Sequence, residues 1–243
     1  MNKKQHNVIG FLLLSILFSG ILFLFCQFGN HIVFARSKNT IAGHVYTVVL
    51  DAGHGGEDGG ASSADGILEK ELNLAITKQI GAELERQGVS VIYTRTEDIL
   101  LYDRNVDYKG RKKLLDLAAR LKIARETENS LFVSIHMNSF PQKQYNGLQV
   151  YYSAHHPLSQ VLALSIQNNV KKNLDPNNGR KIKKADSAIY LLDRNDKPAI
   201  LIECGFLSND EEAKHLATEE YQKKLSSLIA ESIIETMEKA QLQ

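Results

Sequence analysis

The sequence DAGHGGEDGG, residues 51–60, directly follows the apolar run VVL at 48–50 and sets one histidine among five glycines. An apolar run that ends in such a loop predicts a buried strand whose exit approaches another group closely, because glycine has no side chain to keep that group away. A phosphate does not fit, since no Gly-Lys-Ser/Thr follows and Asp58 stands where a dinucleotide fingerprint has its third glycine. The acids Glu57 and Asp58 favour a metal ion instead, for which His54 is a common type of ligand.

Outward from this loop, predicted strands alternate with predicted helices. Apolar runs predict strands at 46–50, 89–94, 131–135, 147–152 and 199–202, and helical spacing predicts helices at 72–86, 111–125, 158–174 and 219–240. Gly88 is expected to end the first helix, and segments 98–110 and 177–184 are expected to be surface loops. This alternation predicts an α/β fold with a largely parallel or mixed sheet, helices on both faces and functional groups near the carboxyl ends of the strands.

The first residues differ from the rest of the chain. Lys3 and Lys4 precede residues 8–26, a stretch of nineteen residues without a charge that is long enough to span a bilayer. Its length favours a retained anchor over a cleaved signal segment, although VFA at 33–35 offers a passable cleavage site before Arg36. Both interpretations place the chain after residue 36 outside the cytoplasmic membrane. We therefore expect an anchor or signal segment at 1–36, a linker at 37–44 and a catalytic domain at 45–243.

Composition and charge exclude some classes of function. The chain of 243 residues has 29 basic and 28 acidic residues, so nothing in its net charge argues for nucleic-acid binding. The length beyond the apolar segment suits one core and is short for two domains. Two cysteines, Cys26 and Cys204, make no disulfide framework.

Three chemically active residues follow apolar runs closely. His54 follows the first predicted strand, His136 follows LFVSI at 131–135 and Glu203 follows AILI at 199–202. A buried histidine bonded to a carbonyl would explain one such residue, but three strand ends should converge on one rim of the sheet. We therefore expect the three side chains to meet.

A fourth residue, Glu69, opens the run EKELNL shortly after the glycine-rich loop. A carboxylate there also suits the positive end of a helix, and Glu71 is a rival for the same role. A zinc hydrolase needs three protein ligands and one open position, which His54, Glu69 and His136 would supply, with Glu203 left as the base. Because fifteen positions separate His54 from Glu69, this is not the short helical pair of zinc peptidases.

Four motifs resemble those of one family and occur in the same order. DAGHGGEDGGA at 51–61, EK at 69–70, SIHMNS at 134–139 and IECGFLSN at 202–209 are similar to the zinc-dependent N-acetylmuramoyl-L-alanine amidases. The resemblance covers residue 46 to the C-terminus and implies a single α/β domain with a six-stranded sheet. It implies one zinc ion held by His54, Glu69 and His136, a catalytic Glu203, and hydrolysis of the amide between the lactyl group of muramic acid and L-alanine in peptidoglycan. Ala52 and Cys204 depart from the residues common in that family, and neither is a ligand position.

Further segments resemble the germination-specific amidases of spore-forming bacteria. These are YTRTEDILLYD at 93–103, RKKLLDLAARLKIA at 111–124, AIYLLDR at 188–194 and EEYQKKL at 219–225. The resemblance implies action on spore cortex peptidoglycan. Since no cell-wall-binding repeat is recognisable, we expect targeting through the membrane segment or through a localising or activating protein.

Two more residues are candidates for substrate contact. Asn138 is expected to contact substrate or orient a ligand, with a structural role in its loop as the alternative. Arg95, at the end of the second predicted strand, is a candidate clamp for a substrate carboxylate, but a surface ion pair is the favoured interpretation. The rival functions are a zinc peptidase that cuts the stem peptide and a membrane-anchored wall-binding protein without turnover. Glu203 argues against the second, because binding needs ligands alone.

Overall fold

The computed structural model describes residues 46–103, 105 and 109–241. Its strands are β1 Thr47–Ala52, β2 Val91–Tyr93, β3 Ser130–Asn138, β4 Gln149–Tyr152, β5 Lys183–Lys184 and β6 Ala199–Phe206. Its helices are α1 Glu69–Arg86, α2 Lys112–Glu126, α3 Pro157–Asn173, α4 Tyr190–Asp193, α5 Asp210–Leu216 and α6 Glu219–Gln241. The predicted anchor and linker lie outside the described residues. Within the described ranges, no helix is both long and apolar enough to cross a bilayer.

The strands form one mixed sheet in the order β2-β1-β3-β6-β4-β5. β1 pairs in parallel with both β2 and β3, and β3 pairs in parallel with β6. β4 runs antiparallel to β6, and β5 runs parallel to β4. The expected six-stranded mixed sheet is therefore confirmed, and β1, β3 and β6 lie side by side at its centre.

Alternate residues of the strands pack into two hydrophobic cores, one on each face of the sheet. Val48 and Leu50 of β1 pack with α1, α3 and α6, whereas Val49 packs with α2 and α4 on the other face. The faces alternate because successive side chains of a strand point to opposite sides. The expected helices on both faces are confirmed, and the second face is the one with less helical cover.

Two central strands continue past the points where the apolar runs end. β3 extends through His136 to Asn138 and β6 extends through Glu203 to Phe206, so these residues lie within strands. The expectation that they follow strand ends is wrong in this detail, because backbone pairing continues where the apolar pattern stops. The elements β5, α4 and α5 are also absent from the sequence prediction, and β5 lies in a segment predicted as a loop.

Candidate metal centre

The side chains of His54, Glu69 and His136 meet at one point, with one ligand atom from each lying within 4.8 Å of the others. Glu69 Oε1 lies 2.9 Å from His136 Nδ1 and 3.2 Å from His54 Nε2. Ligands at about 2.0–2.1 Å from a tetrahedral zinc ion lie about 3.3 Å from one another. The donor types and the spacing therefore suit a zinc ion.

Glu69 is the most constrained of the three. Its side chain enters the site from the first residue of α1 and is 4% exposed. Oε1 accepts a hydrogen bond from the backbone N of Met137 at 3.0 Å, and Oε2 accepts one from the backbone N of Ala61 at 2.7 Å. Glu71, the rival within the segment, is exposed to solvent. The structure thus brings Glu69, and not Glu71, to the two histidines.

The charge on Glu69 is favoured by its neighbours. Burial acts to raise the pKa of its carboxyl, but the hydrogen bonds and charges of His136 and His54 outweigh burial and hold that pKa well below its usual range. The carboxylate is ionised at neutral pH and is a competent ligand.

His54 is oriented by its backbone and by an acid on its far side. Its φ angle is 61°, in the left-handed region that is uncommon for residues other than glycine. Asp58 Oδ2 lies 2.9 Å from Nδ1, at ion-pair distance and without the alignment of a good hydrogen bond. Nδ1 thus faces Asp58 while Nε2 faces Glu69, which is how a carboxylate beside a ligand histidine sets the orientation of its ring.

Two glycines of the loop make room for the ligand side chains. A Cβ atom at Gly53 would lie 2.2 Å from His136 Nε2, and one at Gly60 would lie 2.5 Å from Glu69 Oε2. Two of the five glycines in this loop are therefore explained by its close packing against His136 and Glu69.

A buried arginine supports the loop from below. Arg120 of α2 is 1% exposed, and its Nη1 donates to the carbonyl of Ala52 at 2.6 Å while its Nη2 donates to the carbonyl of His54 at 2.7 Å. Its charge is balanced by Asp51 Oδ1 at 2.6 Å and Asp116 Oδ2 at 2.7 Å. Arg120 therefore ties the carbonyl of the first candidate ligand to a buried ion-pair network.

Asp51 is the centre of that network and is fully buried. It also accepts hydrogen bonds from the hydroxyls of Thr94 at 2.7 Å and Ser134 at 2.6 Å. Burial acts to raise the pKa of Asp51, but Arg120 and these hydroxyls lower it below its ordinary value. Sequence reasoning missed the Asp51, Asp116 and Arg120 network. The available signal was the i, i+4 pair of Asp116 and Arg120 on a predicted helix.

Arg95 lies neither in a position to clamp substrate nor in a surface ion pair. It is 2% exposed, and its Nε donates to Ala52 O at 2.8 Å while Nη2 donates to Gly53 O at 3.0 Å and Lys70 O at 2.8 Å. The substrate clamp and the surface ion pair are both wrong, because the guanidinium turns inward beneath the loop and is occupied by backbone carbonyls. Together with Arg120, it holds three consecutive carbonyls at residues 52–54.

Glu203 lies directly opposite His136, because the two are paired in register on β6 and β3. Its Oε2 is inaccessible to solvent and has no hydrogen-bond partner among the described residues. Burial is the largest influence and raises the pKa of its carboxyl to about 7; His136 opposes the rise and Glu69 adds to it. A carboxyl with an unpartnered oxygen and a pKa near neutrality is suited to proton transfer.

Asn138 lies at the carboxyl end of β3 and is partly exposed. Its backbone carbonyl accepts a hydrogen bond from Leu207 N at 2.8 Å, which ties the end of β3 to the segment after β6. This contact is structural, and substrate contact by the side chain stays a prediction.

Comparison with known proteins places this site in a family context. Residues 48–235 match the family model described as N-acetylmuramoyl-L-alanine amidase. The chain is 36% identical over 233 residues to the germination-specific N-acetylmuramoyl-L-alanine amidase of Bacillus subtilis, covering 96% of this chain and 95% of that protein. It resembles the structure of the CwlD amidase of Clostridioides difficile in complex with the GerS lipoprotein, with a TM-score of 0.75 and 40% identity over 79% of this chain and 98% of that one. The amidase AmiC2 of Nostoc punctiforme has a TM-score of 0.68 and 33% identity over 81% of this chain and 98% of that one.

Proposed function

The chain belongs to the N-acetylmuramoyl-L-alanine amidase family, and from that premise we propose zinc-dependent hydrolysis of the amide between the lactyl group of N-acetylmuramic acid and L-alanine. The observation that carries this proposal is the pairing of His136 with Glu203, whose buried Oε2 has no partner among the described residues. That pairing sets a proton acceptor beside a candidate ligand.

His54, Glu69 and His136 would hold the zinc ion. When bound, zinc supplies a water of lowered pKa and polarises the substrate carbonyl. Glu203 accepts a proton on its carboxylate as water attacks the carbonyl carbon, and it then returns that proton to the amine nitrogen of L-alanine as the amide bond breaks. Arg120 and Arg95 keep the loop of His54 in place through its carbonyls.

The substrate is proposed to be spore cortex peptidoglycan. The support is the similarity to the germination-specific amidase, which extends over 96% of this chain. We further propose that residues 1–36 hold the enzyme at the outer face of the cytoplasmic membrane, with a retained anchor favoured, that residues 37–44 form a linker and that 45–243 form the catalytic domain. A localising or activating protein partner is proposed too, supported by the CwlD complex with a lipoprotein.

The test uses the full-length chain in mild detergent, with zinc and after chelation, on purified cortex peptidoglycan and on vegetative cell wall. Mass spectrometry of the products should show peptides with a free L-alanine amino group, released only with zinc and faster from cortex. Cuts within the stem peptide would show a peptidase instead. Equal rates on both walls would remove the cortex assignment while leaving the amidase activity in place.

A further inference from the structure

The row of side chains that contains the proposed base extends one strand beyond it. Gln149 of β4 lies directly opposite Glu203 of β6, which lies directly opposite His136 of β3. Directly paired residues project from the same face of a sheet, so the three side chains lie side by side. Gln149 is 3% exposed and its Oε1 accepts a hydrogen bond from Arg180 Nη1 at 3.3 Å.

The guanidinium of Arg180 is held by uncharged groups. Nε donates to the carbonyl of Asn146 at 2.6 Å, and the group lies 4.2 Å from the ring centroid of Phe206 and 5.8 Å from that of Tyr145. Stacking on aromatic faces is a common way to fix an arginine. The side chain is therefore preorganised although it is partly exposed.

The charge of Arg180 has no carboxylate within ion-pair distance among the described residues. Glu212 is near enough to interact electrostatically, but its oxygens accept hydrogen bonds from Gly147 N and Phe206 N, each at 2.8 Å. In the same described ranges, no hydrogen bond of Arg180 Nη2 is found. A cation that is fixed, partly exposed and unpaired is a ready site for a bidentate carboxylate.

The direction of the reaction places the stem peptide on the side of the site where Gln149 and Arg180 lie. Glu203 protonates the amine that leaves, so the peptide half of the substrate lies toward Glu203 and away from His54. Gln149 is about one strand spacing, roughly 4.8 Å, from Glu203, and an extended residue spans roughly 3.5 Å. Arg180 is thus within reach of a group one or two residues along the stem from the broken amide.

We propose that Arg180 binds a free carboxylate of the peptide stem and so makes the enzyme selective for an acidic residue next to L-alanine. The inference rests on the proposed function and names the part of the substrate that the site recognises. Tyr145 and Phe206 hold the guanidinium in place, and Gln149 links it to the row that contains Glu203.

The test compares two synthetic muramoyl peptides that differ in one group, with the glutamyl carboxyl after L-alanine either free or converted to a carboxamide. With the zinc-loaded full-length enzyme, we expect kcat/KM to be about 10–100-fold higher for the free carboxylate, mainly through a lower KM. Arg180→Met should lose that preference, mainly through a higher KM for the free carboxylate. Arg180→Lys keeps the charge without the planar fork and should retain part of the preference.

Arg194→Met is the matched control, since this exposed arginine also lies over a ring, 5.8 Å from the centroid of Tyr190. It should leave the preference unchanged. Equal rates of the wild-type enzyme on both peptides would overturn the proposal, as would an equal loss on both peptides in Arg180→Met with unchanged melting temperature. Failure of the zinc-loaded wild type to cleave either peptide or intact peptidoglycan, also with spore membranes added as a source of the proposed partner, would overturn the proposed function itself, which separates the two conclusions.

Discussion

His136 and Glu203 face each other across the paired strands β3 and β6, so the proposed ligand and the proposed base share one row of the central sheet. The spacing of parallel strands, about 4.8 Å, sets the distance between their backbones. Neither residue depends on a mobile loop for its position. A hydrolytic site needs its metal ligand and its base to be held at a fixed distance from each other.

Replacing the proposed base should stop turnover without removing the metal. We expect Glu203→Gln to lower kcat about 10²–10⁴-fold, because proton transfer to the leaving amine is lost. Zinc content, measured by atomic emission on the purified protein, should stay at one per chain. Glu211→Gln, an exposed glutamate on α5, serves as the control. A Glu203→Gln protein of normal rate would contradict the assignment.

The two glutamates at the start of α1 should behave differently. Glu69→Gln should weaken zinc binding by more than about 100-fold, since even loss of an outer partner costs about 10–100-fold. Glu71→Gln should bind zinc normally, because Glu71 is exposed while both oxygens of Glu69 accept hydrogen bonds in the site. Competition with a chromophoric chelator measures both affinities. Equal affinities in the two variants would remove Glu69 from the ligand set.

The buried arginine beneath the loop should matter for stability. We expect Arg120→Met to lower the free energy of unfolding by about 3–5 kcal/mol, because Asp51 and Asp116 would then be buried without their partner. Urea unfolding followed by circular dichroism measures the change. Arg125→Met, an exposed arginine on the same helix, should change little. A stable Arg120→Met protein would show that water or another group compensates the two acids.

The same network should make stability depend on acid pH. The pKa of Asp51 in the folded protein lies below its ordinary value of 3.8, so its ionised form stabilises the fold above that pH. This contribution is lost as the pH falls below 3.8 toward the folded-state pKa. The wild type should therefore exceed Asp51→Asn in free energy of unfolding at pH 6, with a smaller difference at pH 3. Asp65→Asn, at an exposed position, should have the same free energy of unfolding as the wild type at both pH values. A difference between the wild type and Asp51→Asn that is equal at pH 6 and pH 3 would refute the linkage.

A methyl group on the loop should displace a ligand. Gly53→Ala places a Cβ atom 2.2 Å from His136 Nε2, so the ring or the loop must move. We expect zinc affinity and activity to fall at least about tenfold, since a misplacement of about 1 Å can cost about 100-fold in rate. Gly179→Ala is the control, because its Cβ would meet no atom within 4 Å. Normal zinc affinity in Gly53→Ala would mean that the ring shifts without cost.

The sequence alone was sufficient for the order and type of the long elements. Apolar periodicity predicted α1, α2, α3 and α6 and the five longer strands, because these elements bury regular apolar faces whose spacing is visible along the chain. It failed for β5, α4 and α5, which are short and bury few residues. The motifs also led to His54, Glu69, His136 and Glu203, since residues with reactive side chains stand out where an apolar run ends.

Only the tertiary structure decided how those residues meet. The pairing of His136 with Glu203, the choice of Glu69 over Glu71 and the inward turn of Arg95 all depend on contacts between segments that are distant along the chain. A local pattern records which residues are apolar, but not which strand lies beside which or which carbonyl a buried arginine will find. Burial requires each polar group to be paired, and the partners that satisfy this requirement exist only after the sheet has assembled.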